Sequence, residues 1–337
     1  MTMDQVKAPT RRHVCQTLLL APLAAAVGAP WSFRPAHAQA FPNRPVRITV
    51  PFAAGGIADI TVRIVGEKLG ERFGQRVVIE NQPGPGGIAA ARNALSSPPD
   101  GYTLAMLTNG TAITVPLFNN LPFDPLKDFV PISSLGFFDF IFAANADSPF
   151  RTLADVLKAA REKPGTLNIG TINVGSTQNL SAELFKSSTG ISLAIIPYRS
   201  TPDAIVGLLR NDVQLVIDTY AAFKAQLADK KIRALASSGP ARSALLRDVP
   251  TVQESGVRDF DVTSWNALFA PAGTPAETVE ILNRGLREVL AAPEVKKRLL
   301  DLGIEARASS PAEIGGRLRA DIGKWSRVIE RAGIPKQ

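Results

Sequence analysis

The sequence predicts a two-domain α/β protein with a ligand cleft, and three observations carry that prediction. Strand-like and helix-like segments alternate along most of the chain, as they do in mainly parallel sheets flanked by helices. Two long extended segments, Asp128–Asn145 and Asp261–Pro275, bracket the middle of the chain and read as connections crossing between domains. Finally, one strand–glycine–helix loop occurs in each α/β unit: "ITVPFAAGGIADITVR" (Ile48–Arg63) and "NIGTINVGSTQNLSAELF" (Asn168–Phe185). The division that follows gives residues 39–143 and 265–337 to a discontinuous domain 1 and residues 144–264 to domain 2. The two crossings would act as a hinge, with the cleft between the domains.

The elements follow in order. "VRITVPF" is a β-branched strand, and Ile60, Ile64, Val65, Leu69 and Phe73 place one apolar face on a helix from about Ala58 to Phe73. Strand "VVIE" (Val77–Glu80), a Gly/Pro-rich turn, a helix through Ala89–Leu95 and strand Tyr102–Asn109 complete the first series. The second runs through a helix at Leu153–Arg161, strand Leu167–Gly170 and a helix from Ser176 to Ser188 that ends at Gly190. Strand Leu193–Tyr198, helix Pro202–Leu209, strand Val213–Asp218, a helix near Ala221–Ala228 and strand Ile232–Ser237 follow. The tail is helical, with Ile314, Leu318, Ile322, Trp325 and Ile329 on one stripe.

The first 38 residues read as a secretory signal peptide: basic Lys7, Arg11 and Arg12, the apolar run Val14–Ala29, and the small-residue site Ala36-His37-Ala38. Arg11-Arg12 lacks the bulky apolar pair of a twin-arginine signal, so the ordinary secretory route is the expectation, and with it a periplasmic location. Cleavage after Ala38 removes four of the 38 basic and one of the 30 acidic residues, and the net charge falls from +8 to +5. These charges are scattered, without a basic tract, so nucleic acid is not an expected partner. Cleavage also removes the only Cys (Cys15) and both His (His13 and His37). No thiol or imidazole chemistry is then available: no cysteine nucleophile, no Cys/His zinc site, no His-based triad. An enzyme would have to work with carboxylates, Lys, Tyr or backbone alone; the expectation is a chain that is not an enzyme, with no cofactor and no metal.

The two loops are where chemistry is expected. A helix entered through a glycine turn directs unpaired N–H groups and its positive dipole end at the turn, which suits an anion without any cationic side chain. Asp59 stands in the first turn of the first helix; Ser176 and Thr177 open the second as caps. "GPGGIA" (Gly84–Ala89) fits G-x-G-x-x-A, but the following strand ends at Thr108-Asn109 without the acid a dinucleotide ribose needs, so it reads as a structural turn. Asp218, at a strand end, reads equally as a cleft residue or a helix cap. Arg63, Glu67 and Glu71, at i, i+4 spacing, read as a surface ion-pair ladder.

The segments "PFAAGGIADITVR", "ENQPGPGGIAAARNALSSPPDGYTLAM", "LPFDPLKDFVPISSLG", "IPYRSTPDAIVGLL", "ALASSGPARSALLRDVPTVQESGV" and "WNALFAPAGTP" together resemble the tripartite tricarboxylate transporter receptor family, also called Bug proteins. The resemblance runs from about Phe41 to Gly333. It implies a periplasmic binding protein of type II-like architecture that captures a small organic carboxylate and delivers it to a tripartite tricarboxylate-type membrane permease. A monomer is expected, and a module feeding a sensor kinase is the alternative. Carried over residue by residue, it places ligand contacts at Phe52, Ala54, Gly55, Gly56 and Asp59, and at Thr171, Gly175, Ser176, Thr177 and Asp218. Asn179 departs from the family's usual His, Ser200 from its Gly, and Asn211-Asp212 from its Gly-Gly.

Overall fold

A computed structural model describes residues 41–337; the signal-peptide reading therefore lies outside the described residues. Strand β1 (Val46–Val50) leads to helix α1 (Ile57–Phe73), strand β2 (Val77–Asn81), a single 3₁₀ turn over Pro85–Gly87 and helix α2 (Ile88–Leu95). Strand β3 (Thr103–Thr108) passes directly into α3 (Asn109–Leu117), and the 17-residue strand β4 (Phe129–Asn145) follows. The middle series is α4 (Leu153–Glu162), β5 (Asn168–Ile172), α5 (Thr177–Thr189), β6 (Ala194–Tyr198), α6 (Thr201–Leu209), β7 (Leu215–Thr219), α7 (Tyr220–Ala228) and β8 (Ile232–Ser237). The chain returns through β9 (Thr263–Pro271) and finishes with α8 (Ala276–Ala291), α9 (Pro293–Leu300), β10 (Glu305–Ala306) and α10 (Pro311–Ala332).

The sheet order is β2-β1-β3-β9-β4-β7-β5-β6, with β8 and β10 also paired to β4. Its ends are parallel (β2-β1-β3 and β7-β5-β6), as the β-α-β alternation dictates, while β9 and β4 run antiparallel to their neighbours. This is a mixed α/β fold. Strand β4 holds the whole together, because its first part pairs with β9 up to Asp139↔Thr263 and its second with β7 from Phe140↔Thr219. The chain returns to the sheet through Ser238–Val262, and Thr263–Pro271, inside the extended segment the sequence marks, is itself a sheet strand. Buried Ser238 rivets both passages: Phe140 N–H donates to its Oγ (2.8 Å), and that hydroxyl donates to the Val262 carbonyl (2.6 Å).

Helix α1 forms where the apolar spacing requires it, with Val62, Val65 and Leu69 fully inside. Burial of that kind stabilises by about 1.5–3 kcal/mol per side chain. Helix α10 starts with a capping box, in which Ser310 and Glu313 satisfy each other's backbone N–H, and Pro311 occupies its first turn. Its predicted stripe packs inward, with Trp325 fully buried and its indole N–H donating to Asn109 Oδ1 at 2.9 Å. The second buried tryptophan, Trp265 of β9, donates to Asp321 Oδ2 on α10 at 2.7 Å, so neither ring nitrogen is stranded. Helix α3 was not expected. Thr111 to Val115 is rich in β-branched residues and Pro116 follows, which disguises a helix that a capping box between Thr108 and Thr111 nonetheless starts. No helix among the described residues is long and apolar enough to cross a membrane.

Candidate functional site

The two glycine loops meet at one cavity of about 530 Å³. Each loop has the same internal design. Gly55 (φ +87°) and Gly175 (φ +81°) take the left-handed backbone conformation that residues with a Cβ avoid. In the first loop the Gly55 N–H donates to Asp59 Oδ2 at 2.8 Å; in the second the Gly175 N–H donates to Asn179 Oδ1 at 3.1 Å. A side chain four residues on thus pins each turn from behind. Asn81 Nδ2 bridges Asp59 Oδ1 (2.8 Å) and the Phe52 carbonyl (3.0 Å), and Asn179 Nδ2 reaches Thr171 Oγ1 (3.3 Å). Asn179, the departure from the family's usual His, is therefore the counterpart of Asp59.

Asp59 is buried, and Arg63 Nε donates to both its oxygens at 2.9 Å. Burial pushes its carboxyl up, but the bonds from Arg63, the Gly55 N–H and Asn81 outweigh this and hold it below the ordinary aspartate value. The acid is internally neutralised and turned away from the cavity. The expected surface ladder is not formed: Arg63 faces back to Asp59, Glu67 takes Arg298 (2.9 Å), and Glu71 takes Lys68 (2.9 Å). Asp218 is buried as well, and burial pushes its carboxyl up past the opposing effect of its donors. Those are Thr201 Oγ1 (2.6 Å), Thr219 N–H (2.7 Å) and Gln178 Nε2 (3.2 Å), none of them cationic. The α7 cap is Thr219, not Asp218.

Of the ten residues expected at the ligand, Phe52, Gly56, Gly175, Ser176 and Thr177 line the cavity, whereas Ala54, Gly55, Asp59, Thr171 and Asp218 lie outside its lining. Gly55, Asp59 and Thr171 belong to the supports just described. Helix α1 has no side-chain cap, so its first-turn N–H groups are left to whatever occupies the cavity. Ser176 caps α5 by accepting from Asn179 N–H at 3.1 Å while donating to the Ile172 carbonyl at 2.8 Å. Sequence reasoning missed a third N-terminus: Thr108, Gly110 and Thr111 of α3 also line the cavity. Asn109 ties it to the second loop, donating to Thr177 Oγ1 at 3.3 Å. The "GPGG" turn also lines the cavity, at Gly84–Gly87. Two polar residues of strand "TSWNALFAP", Ser264 and Asn266, complete the floor between the rings of Phe138 and Phe140 and the β3 edge. Their period-two spacing in an apolar run was the signal that could have found them.

None of the side chains lining the cavity is charged. No cluster of His, Cys, Asp or Glu among the described residues could hold a metal ion. What the arrangement offers is hydrogen-bond donors at helix starts, several hydroxyls and amides, and aromatic surface.

Residues 61–334 match the family model described as "Tripartite tricarboxylate transporter family receptor". The chain is similar to the "UPF0065 protein in tcbD-tcbE intergenic region" of Pseudomonas sp. (strain P51), 32% identical over 328 residues that cover 97% of each chain. It is also similar to the solved structure "R. palustris Rpa4515 with adipate", at 33% identity and TM-score 0.78, covering 88% of this chain and 100% of that one. The "periplasmic binding protein BugD" matches at 29% identity and TM-score 0.75, again covering 88% and 100%. The chain belongs to the tripartite tricarboxylate transporter receptor family, a family of periplasmic solute-binding proteins.

Proposed function

We propose that this family member is an extracytoplasmic receptor that captures a small organic carboxylate and delivers it to a tripartite tricarboxylate-type membrane permease. The observation that carries the reading is the uncapped start of α1 facing the starts of α3 and α5 across a cavity lined by no charged side chain. Backbone N–H groups at helix starts satisfy a carboxylate and add the favourable dipole end. The adipate in a 33%-identical relative is consistent with a carboxylate here. Of the expected contacts, Phe52, Gly56, Gly175, Ser176 and Thr177 would meet the ligand. Ala54 and Gly55 would shape the first loop, and Asp59, Thr171 and Asp218 would act through the groups they hold. The half built on β1–β3 and β9 and the half built on β5–β8 would close as domains about the passages at Phe140 and Ser238. The signal peptide read in residues 1–38 would place the receptor in the periplasm, working as a monomer. Binding and release, with no turnover, is its whole chemistry.

The test is a panel of mono-, di- and tricarboxylates screened by thermal shift and titration calorimetry, alongside native mass spectrometry of freshly purified protein. Saturable binding of an organic acid is the expected result. A folded protein that binds none of them, and carries none from the cell, overturns the reading.

A further inference from the structure

Two polar side chains in the cavity floor have hydrogen-bonding capacity that the protein itself leaves unused. Ser264 is 5% exposed and Asn266 1% exposed. They are alternate residues of β9 and so share one face, whereas Trp265 between them points the other way, to Asp321 on α10. The hydroxyl of Ser264 has no partner among the described residues. Asn266 is oriented unambiguously. The Thr61 hydroxyl spends its hydrogen on the Ile57 carbonyl at 2.6 Å, so it can only accept from Asn266, and the amide nitrogen lies 3.3 Å from it. The carboxamide oxygen of Asn266 is therefore unpartnered, as is the second of its two amide N–H groups, and both stand beside a hydroxyl that donates and accepts.

These atoms are open to the cavity and not sealed off, so an occupant that displaces water from them is favoured when it restores their hydrogen bonds over one that does not. The chemistry of that occupant is restricted. A second carboxylate over the floor could accept from the Ser264 hydroxyl and the free Asn266 N–H, but having no proton to donate it would leave the Asn266 oxygen unpaired against its own charge. An ammonium would be stripped of water in a lining with no acidic side chain, since Asp59 and Asp218 stand outside it with their own donors. A hydroxyl matches both groups at no charge cost: it donates to Asn266 Oδ1 and accepts from the Ser264 hydroxyl. Around it, Phe52, Phe118, Phe138 and Phe140 supply apolar surface.

We propose that Ser264 and Asn266 form a hydroxyl-reading floor, so that the preferred ligand is a carboxylate carrying a hydroxyl group on an apolar body. This rests on the reading of the cavity as a carboxylate site, and the experiment separates the two. Calorimetry on the full-length mature chain compares matched probes: 3-phenylpropanoate with 3-phenyllactate, and butanoate with 3-hydroxybutanoate. Phenylalanine serves as the ammonium arm and adipate as the two-carboxylate arm. The hydroxy member of at least one pair binds about tenfold tighter or better, as expected for a neutral hydrogen bond to a site otherwise left unpaired. In Ser264→Ala, which deletes one unpartnered oxygen and no structural contact, that ratio collapses toward one. Asn266→Ala does the same, with apo thermal unfolding confirming that loss of the Thr61 bond leaves it folded. Equal affinities within both pairs, a preference that survives both substitutions, or tighter binding of phenylalanine or adipate than of every hydroxy acid overturns the inference while the carboxylate reading stands. Failure of every acid to bind removes both.

Discussion

Gly56→Val separates the candidate site from the fold around it. Gly56 is the N-cap of α1, with φ −77° and ψ 167°, a conformation in which valine is at home. A Cβ built there meets nothing nearer than the Ala53 carbonyl oxygen at 3.8 Å. Exchanging a weak cap for a poor one costs about 0.5–1 kcal/mol, which in a chain of this size lowers Tm by roughly 2–4 °C at most. The effect on binding is of another order. The two γ-methyl groups would stand over the uncapped first turn of α1, where the ligand oxygen is expected. Each charge-assisted bond to a backbone N–H is worth about 1.5–3 kcal/mol, so displacing one weakens binding by roughly tenfold to a hundredfold, and displacing two by more. Titration calorimetry with the acid identified by the panel, run beside apo thermal unfolding, reads both quantities. A folded Gly56→Val protein whose Kd lies within threefold of the wild type would refute this assignment of the first loop.

Two further predictions concern the same machinery. Gly175→Ala should destabilise the protein by about 2 kcal/mol or more, from a left-handed φ and from a Cβ only 2.5 Å from Leu117 Cδ2. Adding Leu117→Ala removes the collision, so chemical denaturation of the double variant should show a smaller loss than the two single changes summed; strict additivity would show that the contact is not the cause. Asp139 lies at the swap point of β4, where burial chiefly, aided by the charges of Asp261 and Glu305 and opposed by Thr263 and Arg317, pushes its carboxyl up to about 6. Because the folded value is above the unfolded one, its contribution is present below about pH 4 and is lost as pH rises toward about 6, a swing of at most ~3 kcal/mol. Asp139→Asn should flatten that part of the urea stability profile and be the more stable protein at pH 7; parallel profiles would reject the argument.

Most of the architecture could be read from local pattern. The helices from Ile57, Leu153 and Thr177 and the strands at Val46, Val77 and Ile232 lie within a few residues of where apolar periodicity and capping residues put them. Helix α3 escaped because its capping box is buried under a β-branched run, and β10 because two residues carry no period. Of the site, the two glycine turns were legible since left-handed backbone demands glycine and helix starts demand caps. The floor was not, because Ser264 and Asn266 differ from other strand residues only in what lies above them.

The sequence alone determined that two glycine loops open helices, that no Cys or His remains beyond residue 38, and that the chain alternates as an α/β sheet protein does. Those are consequences of residue type and nearest neighbours. Only the tertiary structure decided that the two loops face one cavity, that Asp59 is turned inward and neutralised by Arg63, and that α3 and β9 contribute to the same lining. The physical reason is distance along the chain: Gly56, Thr108, Ser176 and Asn266 become neighbours only when β4 pairs with both halves of the sheet, and no local propensity encodes that meeting.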